Sequence, residues 1–137
     1  MIYVHVPFCR SFCTYCDFYS EIAPGDKDFG AYADALVGEI ESRRAEIEST
    51  LGTNTLYIGG GTPSVLPLDI LRRITDALPY GPYDEFTIEA NPEDLCQKGI
   101  PYVRGLREIG VNRVSIGVQS LSDDILKWMN RRHDASK

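Results

Sequence analysis

Four short segments of the chain alternate between apolar and polar residues, as a β-strand does when one of its faces is buried. They are residues 2–6, 55–58, 85–90 and 113–118. The stretches between them carry apolar residues at helical spacing and predict helices. These are residues 28–49, 69–78, 100–109 with a shorter helical turn at 93–97 before it, and 122–130 with Ser122 as its N-cap. Alternation of strands and helices predicts an α/β fold with about four parallel strands, flanking helices and right-handed crossovers.

The strands have a polar face, which is unusual because strands of a parallel sheet are commonly apolar on both faces. On the third strand Glu89 shares a face with Thr87 and Asn91, and on the fourth strand Ser115 and Gln119 share a face. Such a face predicts an open or partial barrel whose lumen holds a polar ligand, since a closed barrel fills its interior with bulky apolar layers. The alternative is a solvated face on an edge sheet.

The composition narrows the class of protein. The chain has 137 residues and carries 14 Lys and Arg against 20 Asp and Glu, a net charge of -6. This acidity argues against nucleic-acid binding, because such domains are usually basic. No apolar run approaches the roughly 20 residues that span a bilayer, and the first residues lack a signal-peptide pattern. We therefore expect a cytoplasmic protein with no membrane span, forming one domain or a piece of a larger one.

Three of the four cysteines, Cys9, Cys13 and Cys16, follow directly on the first strand. Where thiols stay reduced, such clustering indicates metal or catalytic chemistry more than a disulfide frame. Thiolates spaced four and then three residues apart can bind one face of a [4Fe–4S] cluster and leave its fourth iron open. Two alternatives remain, namely a zinc site with His5 as fourth ligand and a redox pair of Cys13 and Cys16. Cys96 lies far along the chain and is predicted to be a buried apolar thiol.

The cysteine spacing, with Tyr15 just before the third cysteine, resembles the signature of the radical S-adenosylmethionine (SAM) superfamily. Five further motifs agree in order. They are Tyr-Val-His-Val-Pro-Phe-Cys at 3–9, Gly-Gly-Gly-Thr-Pro-Ser at 59–64, Glu-Ala-Asn-Pro at 89–92, Ser-Ile-Gly-Val-Gln-Ser at 115–120 and Asn-Arg-Arg-His at 130–133. Together they look like the oxygen-independent coproporphyrinogen III dehydrogenase family and its relatives, the haem chaperones. This agreement favours the cluster over zinc and the redox pair.

The resemblance implies a [4Fe–4S] cluster on the three cysteines and SAM bound at the open iron. It implies SAM contacts from a set of eight residues: Tyr3, Tyr15, Gly60, Gly61, Thr62, Glu89, Gln119 and Arg131. A glycine turn after a strand also lets the backbone approach a ligand, and we expect it to expose amide and carbonyl groups. In the family, the reduced cluster cleaves SAM to methionine and a 5′-deoxyadenosyl radical. No catalytic residue is assigned.

The branch of the family depends on the residues after the cysteines. The dehydrogenases typically carry another cysteine two residues after the third ligand, where this chain has Phe18, and they extend before the first strand. The sequence therefore resembles the haem-chaperone branch, which implies haem or a porphyrin as ligand and a haem-accepting protein as partner. The alternative is the dehydrogenase, an enzyme that oxidatively decarboxylates propionates to vinyl groups. Because family members are far longer, residues 1–137 are expected to form the N-terminal part of a partial (β/α) radical SAM barrel, without the rest of the barrel and the C-terminal domain.

Overall fold

Strands and helices alternate along the chain in the computed structural model, which describes residues 1–23, 29–50, 54–79 and 81–137. The elements, in chain order, are β1 (Ile2–Val6), β2 (Phe8–Cys9), β3 (Glu21–Ile22), α1 (Phe29–Ser42), α2 (Arg44–Ser49), β4 (Thr55–Gly60), a 3-10 turn (Pro63–Val65), α3 (Leu68–Ala77), β5 (Glu85–Ala90), α4 (Pro92–Ile109), β6 (Arg113–Ile116) and α5 (Asp123–Trp128).

The main sheet of the described residues has four parallel strands in the order β1–β4–β5–β6. Helices connect successive strands, so the carboxyl ends of all four strands lie at one edge of the sheet. That edge is where ligand sites of α/β proteins form. The prediction of an α/β fold with four parallel strands and flanking helices is confirmed.

The cysteine loop is closed at its base by a second, very small pair of parallel strands. In it Phe8 pairs with Glu21 and Cys9 with Ile22. The amide of Ala23 also donates to the carbonyl of Cys9 at 2.6 Å. Residues 10–20 therefore form a loop whose two ends are fixed to each other beside the carboxyl end of β1.

The core lies between the apolar face of the sheet and the helices. Its strand residues alternate along the chain, as the sequence predicts: Val4, Val6, Leu56, Ile58, Phe86 and Ile88. Its helical residues come from α1, α3 and α4: Phe29, Ala33, Ile40, Leu71, Ile74, Tyr102 and Leu106. The strand β6 differs from the others, since Val114 and Ile116 are 38% and 47% exposed. Within the described part of the chain, no further strand pairs with β6.

The predicted helix 28–49 is two helices. Its residue Asp28 lies outside the described residues, and the helical path breaks at Arg43, which has φ -103° and ψ 12°. The Arg43 guanidinium forms ion pairs with Glu39 and Glu46, one on each side of the break. These exposed pairs favour the break only weakly, because surface ion pairs contribute little.

The fourth strand is shorter than the predicted 113–118 and ends at Ile116. The amide of Gly117 still donates to the carbonyl of Ala90 at 3.0 Å, but the amide of Val118 donates to the carbonyl of Ile116. This local bond turns the chain out of the sheet. The helix α4 is interrupted at Gly99, which separates the two helical pieces that the sequence predicts.

Candidate functional site

A cavity of about 250 Å³ opens where the carboxyl ends of the strands meet the cysteine loop. The residues that line it include ten of the eleven predicted site residues: Cys9, Cys13, Cys16, Tyr15, Gly60, Gly61, Thr62, Glu89, Gln119 and Arg131. Tyr3 is not among the described residues that line the cavity. Its side chain is half exposed, and its hydroxyl lies 3.0 Å from Nδ1 of His5.

The three cysteines of the loop are reduced; Cys9 and Cys13 are half-buried and Cys16 is exposed. In the described ranges, no three His, Cys, Asp or Glu side chains lie close enough together to hold one metal ion. A [4Fe–4S] cluster does not require such convergence, because each thiolate binds a different iron. Both ring nitrogens of His5 are engaged, with the hydroxyl of Tyr3 and the carbonyl of Tyr19, which disfavours His5 as a zinc ligand.

The cysteine loop is also tied to residues that lie more than a hundred positions away. The side-chain amide of Asn130 donates to the carbonyl of Phe12 at 2.7 Å. The amide and the hydroxyl of Thr14 donate to the carbonyls of Met129 and Trp128 at 3.4 and 3.3 Å. The segment after α5 therefore helps to fix the conformation of the loop that carries the thiols.

The glycine turn, residues 59–61 at the carboxyl end of β4, packs directly against the cysteine loop. Gly60 has φ +115°, in the left-handed region that glycine adopts readily. A Cβ on Gly61 would lie 2.7 Å from the carbonyl oxygen of Phe8 and 3.0 Å from Sγ of Cys9. No side chain fits at that distance, so glycine is required where the turn and the thiol meet.

The amides of this turn are used within the protein. The amide of Gly61 donates to the carbonyl of Val6 at 2.8 Å, and that of Thr62 donates to the carbonyl of Phe8 at 2.7 Å. The hydroxyl of Thr62 lies 3.5 Å from Sγ of Cys9. The expectation that the turn exposes its amides is therefore wrong, because those groups fix the turn to the strand and loop beside it.

Glu89 is held at the end of β5 by two hydrogen bonds, one to each carboxylate oxygen. The hydroxyl of Tyr57 donates at 2.6 Å and the amide of Gly60 donates at 3.1 Å. The bond to Glu89 raises the pKa of Tyr57 to about 12, with burial contributing in the same direction. Tyr57 is missed by the motif analysis. The alternation of β4 could have found it, since Tyr57 pairs with Tyr3 in the strand register, on the same polar face.

Arg131 lies between the cysteine loop and β6. Its guanidinium donates to the carbonyl of Gly117 and lies 3.5 Å from both Sγ of Cys13 and the hydroxyl of Tyr15. Burial raises the pKa of Tyr15. The Nε atom of Arg131 is buried and has no hydrogen-bond partner among the described residues. A buried donor without a partner is costly, so this atom suits an anionic ligand group.

Two sequence predictions need correction. Gln119 is not on a strand face; it lies in the loop after β6 with φ +68° and is exposed, although it still lines the cavity. Cys96 is not a buried thiol, since it is exposed on α4, where its Sγ lies 3.8 Å from the carbonyl oxygen of Lys137. The helical pattern does not distinguish a buried from an exposed position near the start of α4, where the neighbouring Glu93 and Asp94 are the buried residues.

The sequence model of the radical SAM superfamily matches residues 3–137. The chain belongs to the radical SAM superfamily. Membership implies a [4Fe–4S] cluster and SAM, and the resemblance noted from the motifs is confirmed. Within the described residues, no helix is both long and apolar enough to cross a membrane.

Three known proteins show how this radical SAM chain compares with longer relatives. It is 41% identical over 135 residues to the heme chaperone HemW of Lactococcus lactis, covering 96% of this chain and 33% of that protein. It is 33% identical over 134 residues to the oxygen-independent coproporphyrinogen III oxidase of Paracoccus denitrificans, covering 95% and 29%. The solved structure of coproporphyrinogen III oxidase (HemN) from Escherichia coli, a radical SAM enzyme, matches with a TM-score of 0.82 and 29% identity, covering 97% and 31%. The chain spans about a third of the length of these relatives.

Proposed function

We propose that this chain is the cluster- and SAM-binding part of a haem chaperone-like radical SAM protein. One observation carries the proposal: a single cavity brings the three thiols together with the glycine turn, Glu89 and Arg131. These groups come from segments that are far apart in sequence, and the fold assembles them at the edge of the sheet where α/β proteins bind ligands. In this proposal residues 1–137 are the N-terminal part of a radical SAM core domain, and the cytoplasmic location stays a prediction.

In the proposed site, Cys9, Cys13 and Cys16 hold the cluster. The charges of the cavity complement those of SAM, because Arg131 suits its carboxylate and Glu89 suits its cationic groups. When both are bound, the cluster and SAM supply one-electron reductive cleavage of a carbon–sulfur bond. The chain's own groups orient SAM. Gly60 and Gly61 have no side chain and let SAM come close to the backbone. Thr62 and Tyr15 line the cavity wall beside it. Gln119 and Tyr3 are proposed as further SAM contacts. Tyr3 would act from β1, the strand beside β4. The aromatic ring of Tyr3 lies 6.1 Å from that of Tyr57.

Reconstitution with iron and sulfide under anaerobic conditions tests the cluster. We expect about one four-iron cluster per chain, and Ser at Cys9, Cys13 or Cys16 should abolish loading, because three thiolates are needed. Cys96→Ser is the matched control, since Cys96 is an exposed thiol outside the cavity lining of the described residues. A single zinc ion without sulfide, found after anaerobic purification, would contradict the proposal.

The haem-chaperone assignment rests on the sequence beside the cluster loop. Phe18 stands at the position where the dehydrogenases carry a further cysteine, and its side chain is 74% exposed at the cavity. The greater identity to the HemW protein than to the oxidase supports the same branch. Haem as ligand and a haem-accepting protein as partner are therefore proposed. The alternative is a coproporphyrinogen III oxidase.

Two assays on the full-length protein distinguish these functions. The chaperone should retain haem through gel filtration and should leave coproporphyrinogen III unchanged when SAM and a reductant are supplied. Conversion of coproporphyrinogen III with release of carbon dioxide would overturn the chaperone assignment while leaving the cluster and the SAM site intact.

A further inference from the structure

Asp94, in the first turn of α4, is the centre of a buried polar network. Its side chain is 1% exposed. One carboxylate oxygen accepts from Nη1 of Arg132 at 2.8 Å, and Nε of Arg10 lies 3.8 Å from the same oxygen. The other oxygen accepts from the hydroxyl of Ser64 at 2.8 Å. A buried carboxylate is tolerated only when it is paired and hydrogen-bonded, and here both oxygens are engaged.

The partners of Asp94 belong to three different segments around the cofactor cavity. Arg10 follows the first cysteine of the loop, Ser64 follows the glycine turn, and Arg132 follows Arg131. Arg10 and Arg132 line the cavity themselves, whereas Asp94 is not among the described lining residues. The carboxylate therefore connects the segments that carry the thiols, the glycine turn and the cavity arginine, without contacting a ligand.

The network does not accept an amide in place of the carboxylate. The hydroxyl of Ser64 donates to Asp94, and the same hydroxyl oxygen accepts from the backbone amide of Asn91 at 3.0 Å. An Asn side chain has one acceptor oxygen and one donor NH₂ group. In Asp94→Asn the NH₂ group would meet either the guanidinium of Arg132 or the Ser64 hydroxyl, so one donor loses its acceptor whichever way the amide is turned.

We propose that Asp94 is a positioning residue that holds Arg132, the adjoining Arg131 and the cysteine loop in the arrangement that receives the cofactors. This rests on the proposed cluster and SAM site. By this inference the loss of Asp94 changes ligand affinity and loop order, even though the residue lies behind the cavity wall.

The first experiment uses the cluster-free chain and measures how fast each thiol reacts with iodoacetamide, with mass spectrometry separating the four sites. Asp94→Asn should raise the rates at the half-buried Cys9 and Cys13 several-fold. Asp34→Asn is the matched control, because it makes the same change at an exposed Asp that is ion-paired with Arg73. If Cys9 and Cys13 each react in Asp94→Asn at the same rate as in the parent, the proposal is overturned. This arm does not depend on SAM.

The second experiment uses the reconstituted chain and measures the dissociation constant for SAM by equilibrium dialysis. Asp94→Asn should weaken SAM binding about tenfold at unchanged cluster content, which is within the range by which a residue that does not touch a ligand can change its affinity. Asp34→Asn should bind SAM as the parent does. A parent chain that binds no SAM would contradict the proposed function. The thiol reaction rates would still test whether Asp94 positions the cysteine loop.

A second variant guards against failure of Asp94→Asn to fold. Arg132→Met removes the other half of the ion pair from a residue that is 20% exposed. It should raise the same thiol rates, and the double variant should show no further loss of SAM affinity if Asp94 acts through Arg132. The positioning role is refuted if the losses of SAM affinity in the two single variants add in the double variant. It is also refuted if Arg132→Met has the thiol rates and the SAM affinity of the parent.

Discussion

The replacement Glu89→Ala tests the most defined polar contact of the cavity. Glu89 presents a carboxylate whose orientation is set by two donors, the hydroxyl of Tyr57 at 2.6 Å and the amide of Gly60 at 3.1 Å. Because both donors come from β4, the carboxylate is held in place before any ligand arrives. Alanine removes the acceptor of both hydrogen bonds and the negative charge that Glu89 brings to the cavity wall.

Two separate costs follow from this change. Within the fold, two donors lose their acceptor, and each stranded donor costs about 1–3 kcal/mol, with the lower end apt because Glu89 is only half-buried and water can reach it. In the complex, the lost contact should weaken SAM binding by about 1–3 kcal/mol, which raises the dissociation constant about 5- to 150-fold. The two costs are measured independently, by unfolding and by binding.

The assay compares SAM affinity of reconstituted chains at equal iron and sulfide content. Glu85→Ala is the matched control, since Glu85 lies at the other end of β5, is exposed, and pairs with Arg113 at 2.9 Å. It should bind SAM as the parent does. If Glu89→Ala also binds SAM with parental affinity at full cluster content, the assignment of the polar strand face to the SAM site is wrong.

Three further expectations concern the loop after β6, the Tyr57 hydrogen bond and the edge of the sheet. Gln119→Ala should weaken SAM binding without loss of cluster, measured by the same dialysis. The bond to Glu89 raises the pKa of Tyr57 to about 12. The stabilisation of the folded protein by this bond should therefore be full below the ordinary tyrosine pKa of about 10 and should be lost as the pH rises through about 12. The difference in unfolding free energy between the parent and Tyr57→Phe should therefore shrink over that range in urea titrations, and a constant difference would contradict the reasoning. Residues 1–137 should self-associate at micromolar concentration in sedimentation, since the β6 edge and the exposed Val114 and Ile116 offer a template for pairing; a clean monomer would contradict this.

Much of the fold could be predicted because strand signals are local. The bounds of β1 and β5 agree with the alternation of apolar and polar residues, since in each strand the apolar set packs against helices. The errors occur where the backbone departs locally from regular geometry. The end of β6 depends on the hydrogen bond from the amide of Val118 to the carbonyl of Ile116, which no periodicity reveals, and the break of the first helix at Arg43 is favoured only weakly by its exposed ion pairs.

The site was predictable as a set of residue types but not as a geometry. Motif spacing identifies the thiols, the glycine turn and Glu89, yet it does not show that the amides of the turn are already used by Val6 and Phe8. Nor does it find Tyr57, which pairs with Thr87 in the strand register and becomes significant only because its hydroxyl reaches Glu89. Asp94 carries no motif signal, because its role arises from burial against partners drawn from distant parts of the chain.

The cysteine motif is local in sequence, but the order of its loop is not. Two of its side-chain hydrogen bonds join residues 114 and 118 positions apart, from Thr14 to the carbonyl of Trp128 and from Asn130 to the carbonyl of Phe12. Arg131 joins this set through Sγ of Cys13 at 3.5 Å. We predict that such contacts form late, because closing a long loop has an entropy cost that precedes any stabilisation by the contact. In the proposed cluster site the three thiols would then reach their arrangement only when the sheet and the segment after α5 are in place, which would couple cluster binding to completion of this part of the fold.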